Sequence, residues 1–410
     1  MELRAGYKRT EVGLIPEDWI TGKLEEYFSL ISYGFTNPMP TVRSGIYMIT
    51  AADIHGGKLQ YDSARNTSEA AYQTLLTAKS KPKRNDILLT KDGSLGRLAL
   101  VDDEIICINQ SVAVIRPNER VEPDFLKILL ESPAYQKKMI EDAGGSTIKH
   151  IYITIVNLMT IAVPKSLPEQ RAIAVTLSDV DAMIASLDRM IVKKRDMKQA
   201  AMQELLAGKR RLPGFRGEWS VKKLGELGES LIGLTYSPTD VKSDGLLVLR
   251  SSNVFEGKLR FEDNVYVDKV VPDKIIVKEG DILICARNGS RDLIGKCALI
   301  NDHAEGMTFG AFMAIFRTPF SQFVYQQFQS DIVKRQIHEH LGATINQITN
   351  KSMNSFRIPF PEDEVERNAI AALLSDMDAE ITILEQKLDK TRMMKHGMMQ
   401  ELLTGRIRLV

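Results

Sequence analysis

Two stretches of the chain place apolar residues at alternating intervals of four and three positions. The positions are Ile173, Leu177, Val180, Ile184, Leu187 and Ile191 in the first stretch, and Ile370, Leu374, Met377, Ile381, Leu384 and Leu388 in the second. This spacing gives a helix one narrow apolar seam, which is typical of a coiled coil. Proline near each start and glycine near each end predict two helices of about 38 residues, each roughly 57 Å long at 1.5 Å per residue. We expect the two helices to pack antiparallel against each other.

Polar residues interrupt each seam before its apolar pattern resumes. They are Lys194 and Lys198 in the first helix, and Thr391 and Lys395 at the matching positions of the second. Polar seam positions can fix the register of a coiled coil, and lysine stems can lie along apolar surface. We interpret these residues as register-setting or surface positions in preference to direct contacts with DNA.

The seams belong to a longer internal repeat with a period near 200 residues. Residues 172–187 and 369–384 agree at 10 of 16 positions, and residues 202–206 recur unchanged as 399–403. The globular parts match more weakly, with Trp19 and Trp219 in related entry segments. Similar helices are consistent with one shared structural role, and diverged globular parts with two different ligands.

Within one repeat, short β-branched runs alternate with short helical stretches. Strands are predicted at residues 86–90, 107–108 with 112–115, and 151–156, and short helices at 124–130 and 134–141. Residues 320–341 are the corresponding helical stretch of the second repeat. We therefore predict an α/β (α+β) fold, with globular parts at residues 1–165 and 211–360 and long helices at 166–210 and 361–410, in a pseudo-twofold internal repeat.

Composition places the chain among folded proteins without indicating a charged partner. Hydrophobic residues make up 44% and charged residues 26%, and the net charge is only +1. Any case for nucleic acid must therefore rest on local features, because a global basic excess is missing. The start of the sequence lacks the apolar core of a signal peptide, and no apolar run is long enough for a membrane helix, so we expect a cytosolic protein with no membrane partner.

No catalytic motif is found in the sequence. The three cysteines, Cys107, Cys285 and Cys297, lie too far apart for a CxxC or zinc-ligand pattern, so we interpret them as reduced and structural. A phosphate-binding loop, a dinucleotide or methyl-donor loop, and nuclease carboxylates are all missing. We expect neither a catalytic residue nor a metal or cofactor in this chain, and a binding or scaffold role follows.

Polar loops in each repeat carry side chains that suit DNA. The first repeat offers Thr90, Lys91, Ser94 and Arg97, and the second offers Arg287, Asn288, Ser290 and Arg291. Arginine pairs with guanine edges and asparagine with adenine edges, while hydroxyl and backbone N–H groups bind phosphates. The alternative interpretation is an ordinary hairpin turn with exposed charges.

A second pair of loops lies before each long helix. The candidates are Ser146, Thr147 and Lys149 in the first repeat, and Thr344, Asn346 and Gln347 in the second. Small hydroxyl residues after glycine can bind a phosphate through backbone donors, although a plain helix C-cap and turn would need no ligand. A third pair, residues 32–36 and 233–238, sets an aromatic ring beside hydroxyls, where core packing is the usual role.

The whole chain resembles the specificity subunits of type I restriction–modification systems. The resemblance is carried by the entry segment 13–19, the join Leu167-Pro168-Glu169-Gln170-Arg171-Ala172-Ile173-Ala174, and the Met-Gln-Glu-Leu-Leu-x-Gly ending of each helix. The second join, residues 363–370, departs from this pattern, so the start of the second helix is less well defined by sequence.

The resemblance implies two target recognition domains, each reading one half of a bipartite double-stranded DNA site. It also implies that the helices set the spacing and dock two methyltransferase subunits, which bring S-adenosylmethionine. Restriction subunits would bring ATP hydrolysis, magnesium and cleavage, so this chain itself would not be an enzyme. The competing class is a two-headed coiled-coil scaffold or adhesion-type protein that does not bind DNA.

Overall fold

The computed structural model describes residues 5–102, 104–144, 149–341 and 346–409. Two compact units are present, Met1–Leu187 with Lys387–Val410, and Asp188–Gln386. Each unit combines one globular part with part of both long helices. The four segments predicted above therefore do not coincide with these two units, and their residue boundaries stay a prediction. Within the described residues, no helix is long and apolar enough to cross a membrane.

The globular part of the first unit is built on a four-stranded antiparallel sheet in the order β10-β9-β12-β4. A three-stranded sheet, β11-β5-β8, and the pairs β1-β2, β3-β13 and β6-β7 complete it. The strands are β1 (Tyr7–Thr10), β2 (Gly13–Pro16), β3 (Trp19–Lys23), β4 (Phe28–Tyr33), β5 (Ile46–Ile49), β6 (Ile54–His55), β7 (Lys58–Leu59), β8 (Arg65–Thr67), β9 (Ile87–Thr90), β10 (Leu98–Leu100), β11 (Ile106–Ile108), β12 (Val112–Pro117) and β13 (Thr160–Pro164). The helices are α1 (Glu69–Leu75), α2 (Pro123–Glu131), α3 (Pro133–Glu141), α4 (Ile153–Leu158) and the long α5 (Leu167–Leu205).

The globular part of the second unit repeats this plan, with the sheet order β15-β24-β21-β22. A second sheet, β16-β20-β17-β23, and the pairs β14-β25 and β18-β19 accompany it. The strands are β14 (Trp219–Lys223), β15 (Glu229–Ile232), β16 (Val241–Lys242), β17 (Leu246–Leu249), β18 (Val254–Phe255), β19 (Lys258–Leu259), β20 (Tyr266–Val267), β21 (Ile282–Cys285), β22 (Cys297–Leu299), β23 (Thr308–Phe309), β24 (Met313–Arg317) and β25 (Arg357–Pro361). The helices are α6 (Leu224–Leu227), α7 (Ser321–Gln329), α8 (Asp331–His340), α9 (Asn350–Ser355) and the long α10 (Glu364–Leu402).

The α/β class, the two long helices and the internal repeat are thus confirmed. One local prediction was wrong. Residues 151–156 were expected to form a strand, but α4 begins at Ile153. A short β-branched run does not distinguish a buried strand from a helical turn. The helical stretch predicted over 320–341 forms two helices, α7 and α8, since Ser330 is extended and its hydroxyl accepts from the Val333 amide to start the second one.

The main core of each unit lies where its globular part packs against the long helices. In the first unit, Ile173 and Leu177 of α5 share a buried cluster with Leu403, just beyond the end of α10. In the second unit, the opposite ends meet, and Met202 of α5 shares a cluster with Leu374 of α10. The start of each long helix therefore lies beside the end of the other, which is the expected antiparallel packing.

Candidate nucleic-acid interface

The turn between β9 and β10 is stabilised by one of its own candidate residues. Thr90 is completely buried, and its hydroxyl donates to the Ser94 carbonyl and accepts from the Arg97 amide at 2.9 Å. The Arg97 guanidinium in turn donates to the Ile54 carbonyl at 3.3 Å and lies 2.8 Å from the His55 ring. These contacts favour a structural role for Thr90, because its hydroxyl is used inside the turn, and contact of Thr90 with DNA stays a prediction.

Lys91 and Asp92 follow β9 and meet the loop that precedes α4. Asp92 and His150 form an antiparallel bridge, with the His150 Nδ1 atom 2.5 Å from the Asp92 Oδ1 atom. The Lys91 ammonium donates to the other Asp92 oxygen at 2.7 Å and lies 5.5 Å from the Tyr33 ring centroid. Burial alone would raise the pKa of Asp92, but hydrogen bonds from Lys91 and His150 outweigh it and hold that pKa below its usual value.

In the first unit, the structure therefore brings together one loop from each of the first two predicted pairs. Lys149 is exposed beside His150, and Tyr33, from the third predicted pair, is 46% exposed at the end of β4. Ser94 is half-buried in the turn. Ser146 and Thr147 lie outside the described residues. What results is one edge that combines cations, an imidazole, a carboxylate and an exposed aromatic ring, all of which suit contact with nucleic acid.

The second unit forms a corresponding edge with different side chains. Arg287 follows β21, bridges to Gln347, and places its guanidinium 5.1 Å from the centroid of the Phe312 ring. Arg287 and Gln347 are exposed, and Phe312 is 60% exposed. At this distance a guanidinium makes a cation–π contact with the ring, which restricts the arginine side chain.

The other candidates of the second unit mostly stabilise their own loop. The side-chain Oδ1 atom of Asn288 accepts from the Ser290 backbone amide at 2.9 Å, and the side-chain Nδ2 atom of Asn346 donates to the Gly289 carbonyl at 3.4 Å. Arg291 donates to the carbonyls of His338 and Leu341 at 3.2 and 3.4 Å, which ties the turn to the end of α8. These contacts favour a structural role for Asn288 and Arg291. Thr344 lies outside the described residues.

The seam positions of the long helices face inward along both helices. Eight of the twelve are buried, namely Ile173, Leu177, Leu187, Ile191, Ile370, Leu374, Ile381 and Leu388, and the other four, Val180, Ile184, Met377 and Leu384, are half-buried.

At the polar positions of the seam, ion pairs replace apolar contacts. Lys198 contacts Asp378 at 2.6 Å and Lys194 contacts Glu380 at 2.6 Å, while the buried Thr391 hydroxyl donates to the Lys387 carbonyl of its own helix.

Three side chains of the two edges were not predicted from the sequence. Asp92 and His150 lie inside predicted segments but were not chosen as DNA-reading residues. Asp92 is an acid, and His150 is 58 positions away from it in sequence. Phe312 lies outside the predicted segments, and its side chain contacts Arg287 because of the register of β21 and β24. The bridge between distant loops identifies Asp92 and His150, and the strand register identifies Phe312.

Comparisons with known proteins agree with this two-part architecture. A family model described as the type I restriction modification DNA specificity domain matches residues 16–192 and again residues 216–391. The putative type I restriction enzyme MjaX specificity subunit of Methanocaldococcus jannaschii is 26% identical over 438 residues, covering 98% of this chain and 97% of the relative. The EcoBI specificity subunit of Escherichia coli is 28% identical over 210 residues, covering 50% of this chain and 43% of that protein.

Solved structures show the same fold at lower identity. The crystal structure of a type I restriction–modification S subunit from M. genitalium superposes with a TM-score of 0.60 at 17% identity, covering 98% of both chains. A chain solved in work on complex assembly and conformational transition of the type I R-M system gives 0.58 at 17% identity, covering 96% of this chain and 99% of that one. Because the family model matches both halves of the sequence, this chain belongs to the type I restriction–modification specificity subunits, with two target recognition domains.

Proposed function

We propose that each globular part reads one half of a bipartite double-stranded DNA target. The observation that carries the proposal is the pair of edges described above, because one backbone plan presents two different sets of side chains. Lys91, Asp92 and His150 form the first edge, and Arg287 and Gln347 the second. Two copies of one fold with different polar edges suit a target whose halves differ in sequence.

The long helices are proposed to hold the two half-sites at a fixed spacing and to dock two methyltransferase subunits. The buried seam and the ion pairs across it support a stiff spacer, since they fix the register of α5 against α10. The specificity subunit itself is proposed to be non-catalytic and cytoplasmic. S-adenosylmethionine, ATP and magnesium would be bound by the methyltransferase and restriction subunits.

The direct experiment maps methylation in DNA from cells that express this chain together with a type I methyltransferase subunit. A single bipartite motif with a constant spacer is expected. The purified complex should then bind a duplex with that motif far more tightly than scrambled DNA, and its affinity should fall as salt rises. Equal binding to every duplex, with no methylated motif, would overturn the proposal.

The spacer role has a separate test in which one heptad is removed from each helix. Deleting residues 187–193 and 384–390 keeps the phase of both seams, because seven residues complete one repeat of the seam. Each helix becomes about 10 Å shorter, which corresponds to roughly three base pairs of duplex. The preferred spacer should change while both half-sites stay the same, and an unchanged spacer would refute the role of the helices.

A further inference from the structure

The two edges are related residue by residue through the register of their sheets. In the first unit, Val112 of β12 pairs with Thr90, the last residue of β9. In the second, Met313 of β24 pairs with Cys285, the last residue of β21. Thr90 and Cys285 are therefore equivalent, and counting two residues onward makes Asp92 equivalent to Arg287.

Backbone hydrogen bonds confirm this equivalence independently of the strand pairs. The amides of Lys91 and Asp92 both donate to the Ser111 carbonyl, at 2.9 and 3.4 Å. In the second unit, the two amides after β21 both donate to the Phe312 carbonyl, at 3.0 and 2.9 Å. The loop before the short helix closes each frame in the same way, since Ile151 donates to the Lys91 carbonyl and Ile348 to the Ala286 carbonyl.

The residues opposite these positions are equivalent as well. His150 bridges Asp92 and Gln347 bridges Arg287, both in antiparallel geometry. One position of the fold thus holds a carboxylate beside an imidazole in the first unit, and a guanidinium beside an amide in the second. The hydrogen-bonding character of this position therefore differs between the two units: the side chain is an acceptor in the first unit and a donor in the second.

The turns that carry both positions are open to a ligand, with Arg287 exposed and the Asp92 side chain 23% exposed. A Cβ atom added at Gly93 or Gly289, at the tips of the two turns, would meet nothing within 4 Å. Asp92 uses one lone pair of each carboxylate oxygen for Lys91 and His150, which leaves acceptor capacity on both oxygens. Arg287 lies over the Phe312 ring, and among the described residues no carboxylate pairs with it and no acceptor takes a hydrogen bond from its guanidinium.

We infer that Asp92 and Arg287 are the equivalent base-reading residues of the two domains, and that they read bases of opposite polarity. Arg287 donates to the O6 and N7 acceptors of a guanine in the major groove. Asp92, oriented by His150, accepts from the exocyclic amino group of a cytosine or adenine. This inference rests on the proposed function, since it specifies which base type each half-site presents at the equivalent position.

The test uses the complex with its methyltransferase and duplexes in which each position of the mapped target is varied in turn. Arg287→Gln should lower the preference for guanine at one position of one half-site by roughly tenfold or more. Asp92→Asn should lower the preference for an amino-bearing base by a similar factor at one position of the other half-site. Arg260→Gln and Asp62→Asn are matched controls at exposed positions, expected to leave every preference unchanged.

The more conservative variants Arg287→Lys and Asp92→Glu keep the charge but move the reading atoms, so they test the inference even where the first variants fold poorly. Each should weaken the same single base preference. Unchanged base preferences, or equal loss in both half-sites, would overturn the inference while leaving the proposed function in place. A wild-type complex without any sequence preference would instead contradict the proposed function.

Discussion

Lys198 of α5 donates to both carboxylate oxygens of Asp378 of α10, at 2.6 and 2.7 Å. Its repeat-related copy, 197 positions away in both partners, is the pair Lys395 and Asp181, also at 2.6 Å. The lysine side chains are only 10% and 23% exposed, so each ammonium lies largely within the helix pair. A buried ammonium allows few alternative registers, because sliding the helices would leave it without a partner.

Removing the acid of this pair should therefore destabilise the second unit. Asp378→Ala leaves the Lys198 ammonium unpaired, with an expected cost of about 1–3 kcal/mol in urea unfolding. The cost stays below that of a fully buried pair, since the Asp378 side chain is 37% exposed. Replacing both partners, as Lys198→Met with Asp378→Leu, should restore most of the loss.

Asp389→Ala is the matched control for this change. Asp389 is 74% exposed and 3.7 Å from Arg392, so its removal should shift stability by at most about 0.5 kcal/mol. If Asp378→Ala proved as mild as the control, the pair would have no part in setting the register.

A second pair of contacts fastens the segment after each long helix. Arg408 contacts the buried Glu169 at the start of α5, and the Glu169 carboxylate also accepts from the Trp19 indole at 3.4 Å. In the second unit, Arg211 contacts the buried Glu366 at 2.5 Å, which also accepts from the Trp219 indole at 3.2 Å. Both acids are 0% exposed, so each arginine neutralises a charge that is removed from water.

Arg408→Met should destabilise the first unit, and Arg211→Met the second, by about 3–5 kcal/mol each, because a buried carboxylate loses its counter-charge. The chain has two tryptophans, one at each contact, so Trp19→Phe and Trp219→Phe backgrounds let emission report each unit during unfolding. Arg406→Met, whose side chain is 58% exposed, should leave both transitions unchanged. Equal effects of Arg408→Met and Arg406→Met would show that the contact with Glu169 is dispensable.

The sequence predicted the long helices well because a 4-3 seam is a local pattern that continues over many turns. It could not distinguish the helix at Ile153 from a strand, since six β-branched and apolar residues suit either state. The candidate site was predicted only by segment. Thr90 and Arg291 look like DNA-reading residues in sequence, but the Thr90 hydroxyl is used within its own turn and the Arg291 guanidinium donates to the end of α8. Asp92 and His150, in contrast, become a pair only when two distant loops meet.

The buried cysteines should be unreactive in the folded chain. Burial raises the pKa of Cys107 and of Cys297 to about 12, and it also raises that of Cys285. A shift from 9.0 to about 12 lowers the thiolate fraction at pH 8 roughly a thousandfold, and only the thiolate attacks a disulfide reagent. Labelling with such a reagent at pH 8 should detect almost no thiol until denaturant is added, when all three react.

The same shift predicts alkaline destabilisation. Above pH 9 the thiols of the unfolded chain ionise while the folded ones stay protonated, so stability falls as pH rises from about 9 towards 12. Cys107→Ala should reduce this dependence in the first unit. Rapid labelling of the native chain at pH 8 would contradict the burial of these thiols.

Lys149 should contribute charge to DNA binding without contributing specificity. It is exposed at the edge formed by Lys91, Asp92 and His150, where a flexible ammonium suits a phosphate better than a base edge. Lys149→Gln in the methyltransferase complex should weaken binding to target and scrambled duplexes by the same factor. It should also reduce the slope of log K against log salt by about 0.9, the value for one phosphate contact. Lys165→Gln, an exposed position between β13 and α5, removes the same charge and should leave the slope unchanged. A change in the ratio of target to scrambled binding would instead assign Lys149 to base reading.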